Sequence, residues 1–255
     1  MSDALTLLQG SEEVDLLVHE GVVFVIHMKN GENRFNPQSV ARLNALLDRV
    51  EAEQAKNDRE GRGGALVFVG KGKFFSNGLD LNWVMSGEGK IEDLVWHFQK
   101  LCARLYSFPL PTVAAVNGHM YAGGMMFALS CDFRFMREDK GFACMPEIDL
   151  RMLLTPGMNA IVMSKITDQR VLRDVVLLGK KFNPRECLEA GFVDAICAEA
   201  NLLSHAISFA LSNLVPKVAA SGRTFSNLRQ ALFPHAITNL LHFDSIRETA
   251  LRSSL

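Results

Sequence analysis

The sequence predicts an α/β protein in which a largely parallel sheet is covered by helices and followed by a helical C-terminal region. Three observations carry this. Ala65 to Val69 and Thr112 to Val116 are wholly apolar runs, too short for helices and of the kind that fills strands buried on both faces. Amphipathic segments with helical spacing separate these runs, and strands alternating with helices build parallel sheets. From residue 157 onward the chain reads as mostly helical, punctuated by capping residues.

The elements follow in order. Val14 to His19 and Val22 to Met28 are rich in apolar and β-branched residues and are parted by Glu20-Gly21, which reads as a hairpin. Asn36-Pro37 supplies an N-cap and a proline at the first helical position, and Val40, Leu43, Leu46, Leu47 and Val50 share one face. After the charged, glycine-rich stretch from Lys56 to Gly64 comes the strand at Ala65. Ile91, Leu94, Val95, Phe98, Leu101, Cys102 and Leu105 mark a second helix, which Pro109 and Pro111 end before the strand at Thr112. Asn117 to Gly124 reads as a loop, Met125 to Ser130 as the start of a helix and Asp132 to Met136 as a further strand. Asp168 caps a helical run closing at Gly179, and Pro184 and Gly191 bracket a short helix.

Composition excludes several function classes. Among 255 residues, 27 Lys and Arg nearly balance 28 Asp and Glu, so no global field favours nucleic acid or an anionic membrane. No apolar run approaches the roughly 20 residues of a bilayer-spanning helix, and the first ten residues lack the pattern of a secretory signal. The five cysteines, Cys102, Cys131, Cys144, Cys187 and Cys197, contain no CxxC pair and read as reduced packing residues. The seven histidines form no zinc-ligand spacing, and no Asn-x-Ser/Thr acceptor occurs. An aqueous intracellular setting is expected.

Nucleotide and serine-hydrolase signatures are also missing: there is no GxGxxG, no P-loop between Gly64 and Gly72, and no GxSxG elbow. Two glycine-containing loops remain, each leaving a buried strand. They are Lys73 to Asp80 and Asn117 to Gly124. Ligands of parallel sheets bind at such loops, glycine lets main chain approach a ligand, and a helix starting at Gly123-Gly124 presents free N–H groups to negative charge.

With FFSNGLDL, PTVAAVNGHMYAGG, CDFRFM, MPEIDL and Thr155-Pro156-Gly157 in this order, residues 12 to 200 resemble the enoyl-CoA hydratase/isomerase superfamily. The resemblance implies the crotonase fold, a ClpP/crotonase-like spiral of ββα units over residues 1–200. A helical region over 201–255 would serve oligomerisation and cover the active site. It further implies that the N–H groups of Leu79 and Gly123 form an oxyanion hole for the thioester oxygen. The main chain of Phe75, Ser76 and Gly78 would lie along CoA, and Arg34 would meet a CoA phosphate. Asn77, Gly124 and Met126 complete the expected substrate contacts.

The acids depart from the hydratase pattern. Hydratases of this family resemble one another in a Glu on the helix after the glycine loop and a second Glu after the next strand. Here Met126 occupies the first position and Glu147 the second. One carboxylate does not easily both activate water and protonate carbon, but it can carry a proton from C2 to C4 of a 3-enoyl-CoA. The arrangement resembles Δ3-Δ2 enoyl-CoA isomerases of the plant peroxisomal type. Water exclusion by Met126 and its neighbours Met120, Met125 and Phe127 is expected to raise the Glu147 pKa and strengthen it as a base. Asp149 is the second-ranked base. Asp80 is read as structural, through a nearby cation or by capping the next turn, and Trp83 and Trp96 as packing residues. The loop from Ser86 to Lys90 is expected to help shape the tail pocket.

The resemblance implies a fatty acyl-CoA thioester substrate, no metal or cofactor besides the substrate's own CoA, and a homotrimer or hexamer. The final Ser253-Ser254-Leu255 resembles an SKL-type peroxisomal address with Ser for the central Lys, which implies an import receptor as a partner. Within the same superfamily the alternatives are a 2-enoyl-CoA hydratase, a CoA thioester hydrolase or a decarboxylase. A non-catalytic acyl-CoA-binding member is the alternative of another class.

Overall fold

A computed structural model describes residues 5–253. The strands are β1 (Thr6–Gly10), β2 (Val14–His19), β3 (Val23–Met28), β4 (Ala65–Gly70), β5 (Phe74–Ser76), β6 (Thr112–Val116), β7 (His119–Tyr121), β8 (Phe133–Arg137), β9 (Ala143–Cys144) and β10 (Ala195–Cys197). The helices are α1 (Pro37–Arg59), α2 (Leu81–Met85), α3 (Ile91–Ser107), α4 (Gly123–Ser130), α5 (Pro156–Lys165), α6 (Gln169–Val176), α7 (Pro184–Glu189), α8 (Glu199–Phe209), α9 (Val215–Ser221), α10 (Thr224–Leu232), α11 (Pro234–Leu240) and α12 (Asp244–Ser253).

Seven strands form one sheet in the order β1-β2-β3-β4-β6-β8-β10, antiparallel as far as β3 and parallel beyond it. β5, β7 and β9 form a second, parallel sheet. Each of three successive units sends one strand to the large sheet and the next to the small one before turning into a helix, which is the expected spiral of ββα units. Alternation along the central strands explains their unbroken apolar runs. Phe24, Ile26, Phe68 and Ala114 face α1, α3 and α4, whereas Val23, Val25, Val67 and Val113 face Leu202, Ala206 and Ile207 of α8.

Local signals act as the sequence suggests at several points. Glu20 and Gly21 both take positive φ, and Val22 donates to the His19 carbonyl, closing the turn in a three-residue loop between His19 and Val23. The Asn36 side chain accepts from the Ser39 N–H while Ser39 returns the bond to the Asn36 N–H, closing a capping box. Asp168 caps α6, which ends at Val176, three residues before Gly179.

Four expectations change. β1 precedes the hairpin. The Asn117–Gly124 loop contains β7, because His119 donates to the Lys73 carbonyl and Met120 to that of Phe142. β10 interrupts the helical C-terminal half, its three residues half-buried and without a period of their own. The continuous helical stretch Glu199–Ser221, 23 residues containing an 18-residue window of mean hydropathy 1.2, is long and apolar enough by composition to cross a membrane. Its residues Leu202, Ala206, Ile207, Ala210 and Leu214 pack on the large sheet.

Buried ions tie the C-terminal helices to the core. Arg229 of α10 donates to the carbonyls of Tyr106, Phe108 and Leu110 and pairs with Asp132 at 2.5 Å. Gln99 of α3 donates to the Leu240 carbonyl of α11 and accepts from the Thr155 hydroxyl. That hydroxyl also caps α5 by accepting from the Met158 N–H. The placement of α11 is thereby linked to the segment that follows Glu147.

Candidate active site

The two glycine loops meet at one point. Gly78 has φ of +79°, and a Cβ there would lie 2.8 Å from the Gly123 nitrogen and 2.9 Å from the Tyr121 carbonyl oxygen, so only glycine fits. Phe35 donates to the Gly78 carbonyl and Asp80 to the Phe35 carbonyl, both at 2.8 Å. Successive amides of extended chain face opposite ways, so the intervening Leu79 N–H points away from Phe35. Ala122, at φ of +49°, turns the chain so that α4 begins at Gly123. A Cβ on Gly123 would stand 3.4 Å from the Leu79 nitrogen. Among the described residues neither the Leu79 nor the Gly123 N–H donates a hydrogen bond, and both residues line the same cavity. Two adjacent free donors at a helix start are what an oxyanion requires.

That cavity has a volume of about 400 Å³. Met126 lies three residues after Gly123 on α4, hence on the same helix face, and also borders it. Glu147 sits in the 3-10 turn Pro146–Ile148 that follows β9. The residue is half-buried, but its Oε2 is fully buried and has no hydrogen-bond partner. Burial pushes its carboxyl pKa up to about 7. Leu150, Met152, Leu153, Leu154 and Met158 give the neighbouring wall its apolar character. The arrangement can hold charge developing on an oxygen beside a group able to take up and release a proton.

The other predicted residues divide. Arg34 and Asn77 border the cavity, where both bind Glu32: Arg34 at 2.7 Å and Asn77 at 2.8 Å. The Asn77 hydrogen bond, and then Arg34, hold the Glu32 carboxyl below its usual range. Phe75, Ser76, Gly78 and Gly124 are not on the cavity wall. Phe75 packs against Phe127, and its carbonyl accepts from Asn33. The Ser76 hydroxyl donates to the Asn33 carbonyl and accepts from the Gly78 N–H. Gly124 leaves room for the Ser76 carbonyl, which would lie 2.1 Å from a Cβ there. These four shape the loop that aims Leu79.

Of the methionine group only Met126 reaches the cavity; Met120, Met125 and Phe127 are core, with Phe127 against Phe35 and Phe68. Asp149 is exposed and off the cavity wall. Asp80 accepts from the Asn36 amide at 3.0 Å, tying the loop to the start of α1, in place of the expected cation or turn cap. Trp83 is buried against Gly89 and Trp96 packs on Phe243, as packing residues do. No residue of the Ser86–Lys90 loop lines the cavity.

The sequence profile of the enoyl-CoA hydratase/isomerase family matches residues 19–245. The chain belongs to the enoyl-CoA hydratase/isomerase family. Within that family it is 35% identical over 210 residues to the Arabidopsis thaliana protein named enoyl-CoA delta isomerase 3, covering 80% of this chain and 84% of that one. Identity is 34% over 228 residues with peroxisomal enoyl-CoA delta isomerase 2 of the same plant, covering 86% and 91%. The fold superimposes on human mitochondrial delta3-delta2-enoyl-CoA isomerase with a TM-score of 0.79 at 23% identity, covering 95% of this chain and 92% of that one.

Sequence reasoning missed four residues among those that line the cavity in this family member. Glu92 of α3, Thr155 and the α12 residues Ile246 and Thr249 all line the cavity. Glu92 lies between the cavity-facing Ile91 and Val95, a position that the α3 periodicity could have revealed. Thr155 announces itself by the Thr-Pro capping pattern. The approach of α12 is a long-range contact with no local signal.

Proposed function

We propose that the protein is a Δ3-Δ2 enoyl-CoA isomerase acting on fatty acyl-CoA thioesters. The observation that carries this reading is Glu147, whose buried Oε2 has no partner and whose pKa is raised to about 7, in a cavity where Met126 stands at the other acid position. The isomerase names of the plant relatives support it.

In the proposed reaction the thioester oxygen receives hydrogen bonds from the Leu79 and Gly123 N–H groups. Glu147 removes a proton from C2, and the electron pair spreads through the carbonyl and the C3–C4 double bond as a dienolate. The same carboxyl then delivers the proton to C4, leaving the double bond between C2 and C3 and regenerating the carboxylate. Atoms and electrons balance within one substrate, so the step calls for no metal or redox cofactor. Donors fixed before the charge develops typically supply a factor of ~10²–10³ each, and a base with a pKa near the working pH performs general catalysis best.

The reading extends to peroxisomal fatty acid β-oxidation. The peroxisomal name of one relative supports it, while Ser254 and Leu255 of the resembling tripeptide lie outside the described residues. A homotrimer or hexamer, with α12 as part of the active-site cover, belongs to the same proposal. Exposed Ile148, Leu177 and Leu178 supply apolar surface for assembly. The test is an assay of purified protein with a 3-enoyl-CoA and a 2-enoyl-CoA in parallel. Conjugation of the first without water addition to the second supports the proposal; efficient hydration refutes it in favour of a hydratase.

A further inference from the structure

Glu92 is the second carboxylate on the cavity wall, and the proton shuttle above does not use it. It occupies the first turn of α3. Ile91 and Val95 of α3, Leu81 of α2 and Ile246 of α12 make the adjoining wall apolar. Glu92 is half-buried, and among the described residues no donor or cation is paired with it. An alkyl tail lying against such a carboxylate removes hydration and returns no hydrogen bond, whereas a hydroxyl at that place donates one.

Its position along α3 separates it from the reacting carbons. The Phe98 ring tip stands 3.4 Å from where a Cβ on Gly123 would lie, at the oxyanion donors. Glu92 precedes Phe98 by six residues, which is about 9 Å along the helix axis. An extended alkyl chain advances ~1.25 Å per carbon with bonds of ~1.5 Å, so this span reaches well past C4. An acyl chain that runs along α3 from the oxyanion donors therefore meets Glu92 beyond C4.

We propose that Glu92 is a specificity-determining residue that accepts a hydrogen bond from a hydroxyl on the acyl chain several carbons beyond C4, making hydroxylated acyl-CoA thioesters the preferred ligands. This rests on the reading that an acyl-CoA occupies the cavity.

The test is titration calorimetry with decanoyl-CoA, ω-hydroxydecanoyl-CoA and free CoA, none of which carries the reacting double bond. Wild type, Glu92→Leu and Glu92→Gln are compared. Wild type should bind the hydroxy ester at least about tenfold tighter than decanoyl-CoA, as expected for a hydrogen bond to a charged group. Glu92→Leu should reverse the order, and Glu92→Gln, which keeps the shape without the charge, should shrink the preference. Equal wild-type affinities, or a preference that survives Glu92→Leu, would overturn the proposal. So would a Glu92→Leu loss as large for free CoA as for the hydroxy ester, since the donor would then lie on the pantetheine arm. Failure of all three ligands to bind would overturn the acyl-CoA reading itself and this inference with it.

Discussion

Glu147→Gln exchanges a carboxyl for an amide of nearly equal size at a site where Oε2 is buried without a partner. The rise of the Glu147 pKa from 4.5 to about 7 sets the cost of holding its charge at about 3 kcal/mol, at 1.36 kcal/mol per pH unit. The sign is that of a raised acid. Below pH 4.5 both folded and unfolded chains keep the proton and nothing is lost. Between 4.5 and about 7 the unfolded chain ionises first, so stability falls as pH rises, and above 7 the full cost is present. The amide retains ~1–2 kcal/mol of its own burial cost, leaving a net gain of ~1–2 kcal/mol for the variant at pH 8, or a Tm higher by ~2–8 °C. Near pH 4, where the wild-type carboxyl is neutral, the charge cost is gone and the variant should be ~1–2 kcal/mol less stable than wild type. Isomerase turnover should fall by at least ~10³-fold, because the amide cannot accept the C2 proton. Thermal unfolding at pH 8 and pH 4, paired with turnover of a 3-enoyl-CoA, reads all three numbers. A variant less stable than wild type at pH 8, or a stabilisation independent of pH, would refute the picture of a carboxylate held against its desolvation cost.

Further outcomes follow from the same geometry. Gly78→Ala places a Cβ 2.8 Å from the Gly123 nitrogen on a backbone with φ of +79°. Turnover should drop ~10²-fold or more through displaced oxyanion donors, with stability lowered by ~1–3 kcal/mol from the strained φ; kinetics and denaturant melts check both. Arg229→Ala leaves Asp132 unpaired in the interior and three carbonyls without their donor. A loss of ~3–5 kcal/mol is expected in urea unfolding, with Arg229→Ala/Asp132→Ala recovering part of it.

Much of the fold was legible because its signals are local. The central strands are buried on both faces, so β4 and β6 read as plain apolar runs. α1 carries its own start signal in Asn36-Pro37, and α3 its stripe from Ile91 to Leu105. The small sheet was illegible for a physical reason: β5, β7 and β9 have two or three residues each, fewer than a period needs to show. Their hydrogen bonds come from partners distant in sequence.

The site divides the same way. Leu79, Gly123 and Glu147 were reached through the resemblance of ordered motifs, and the structure places all three on one cavity with the two glycine loops in contact. Ser76 and Gly124 belong to the same motifs but serve one another, the carbonyl of one filling the space a side chain on the other would take. A motif therefore marks a place in the fold, and only the surrounding contacts separate the residues that face the ligand from those that hold them. Ile246 and Thr249 reach the cavity on α12, just after Phe243 packs on Trp96 of α3, a long-range effect that no window of sequence displays.

The most direct measurement follows the proton itself. A 3-enoyl-CoA doubly deuterated at C2 is converted in ordinary water, and the 2-enoyl-CoA product is analysed by NMR at C4. If Glu147 alone carries the proton within the largely apolar cavity, part of the label removed from C2 appears at C4, and Glu147→Gln gives no product. Product whose C4 carries only solvent hydrogen, together with label at the retained C2 position, would contradict a single carboxylate acting as both base and acid.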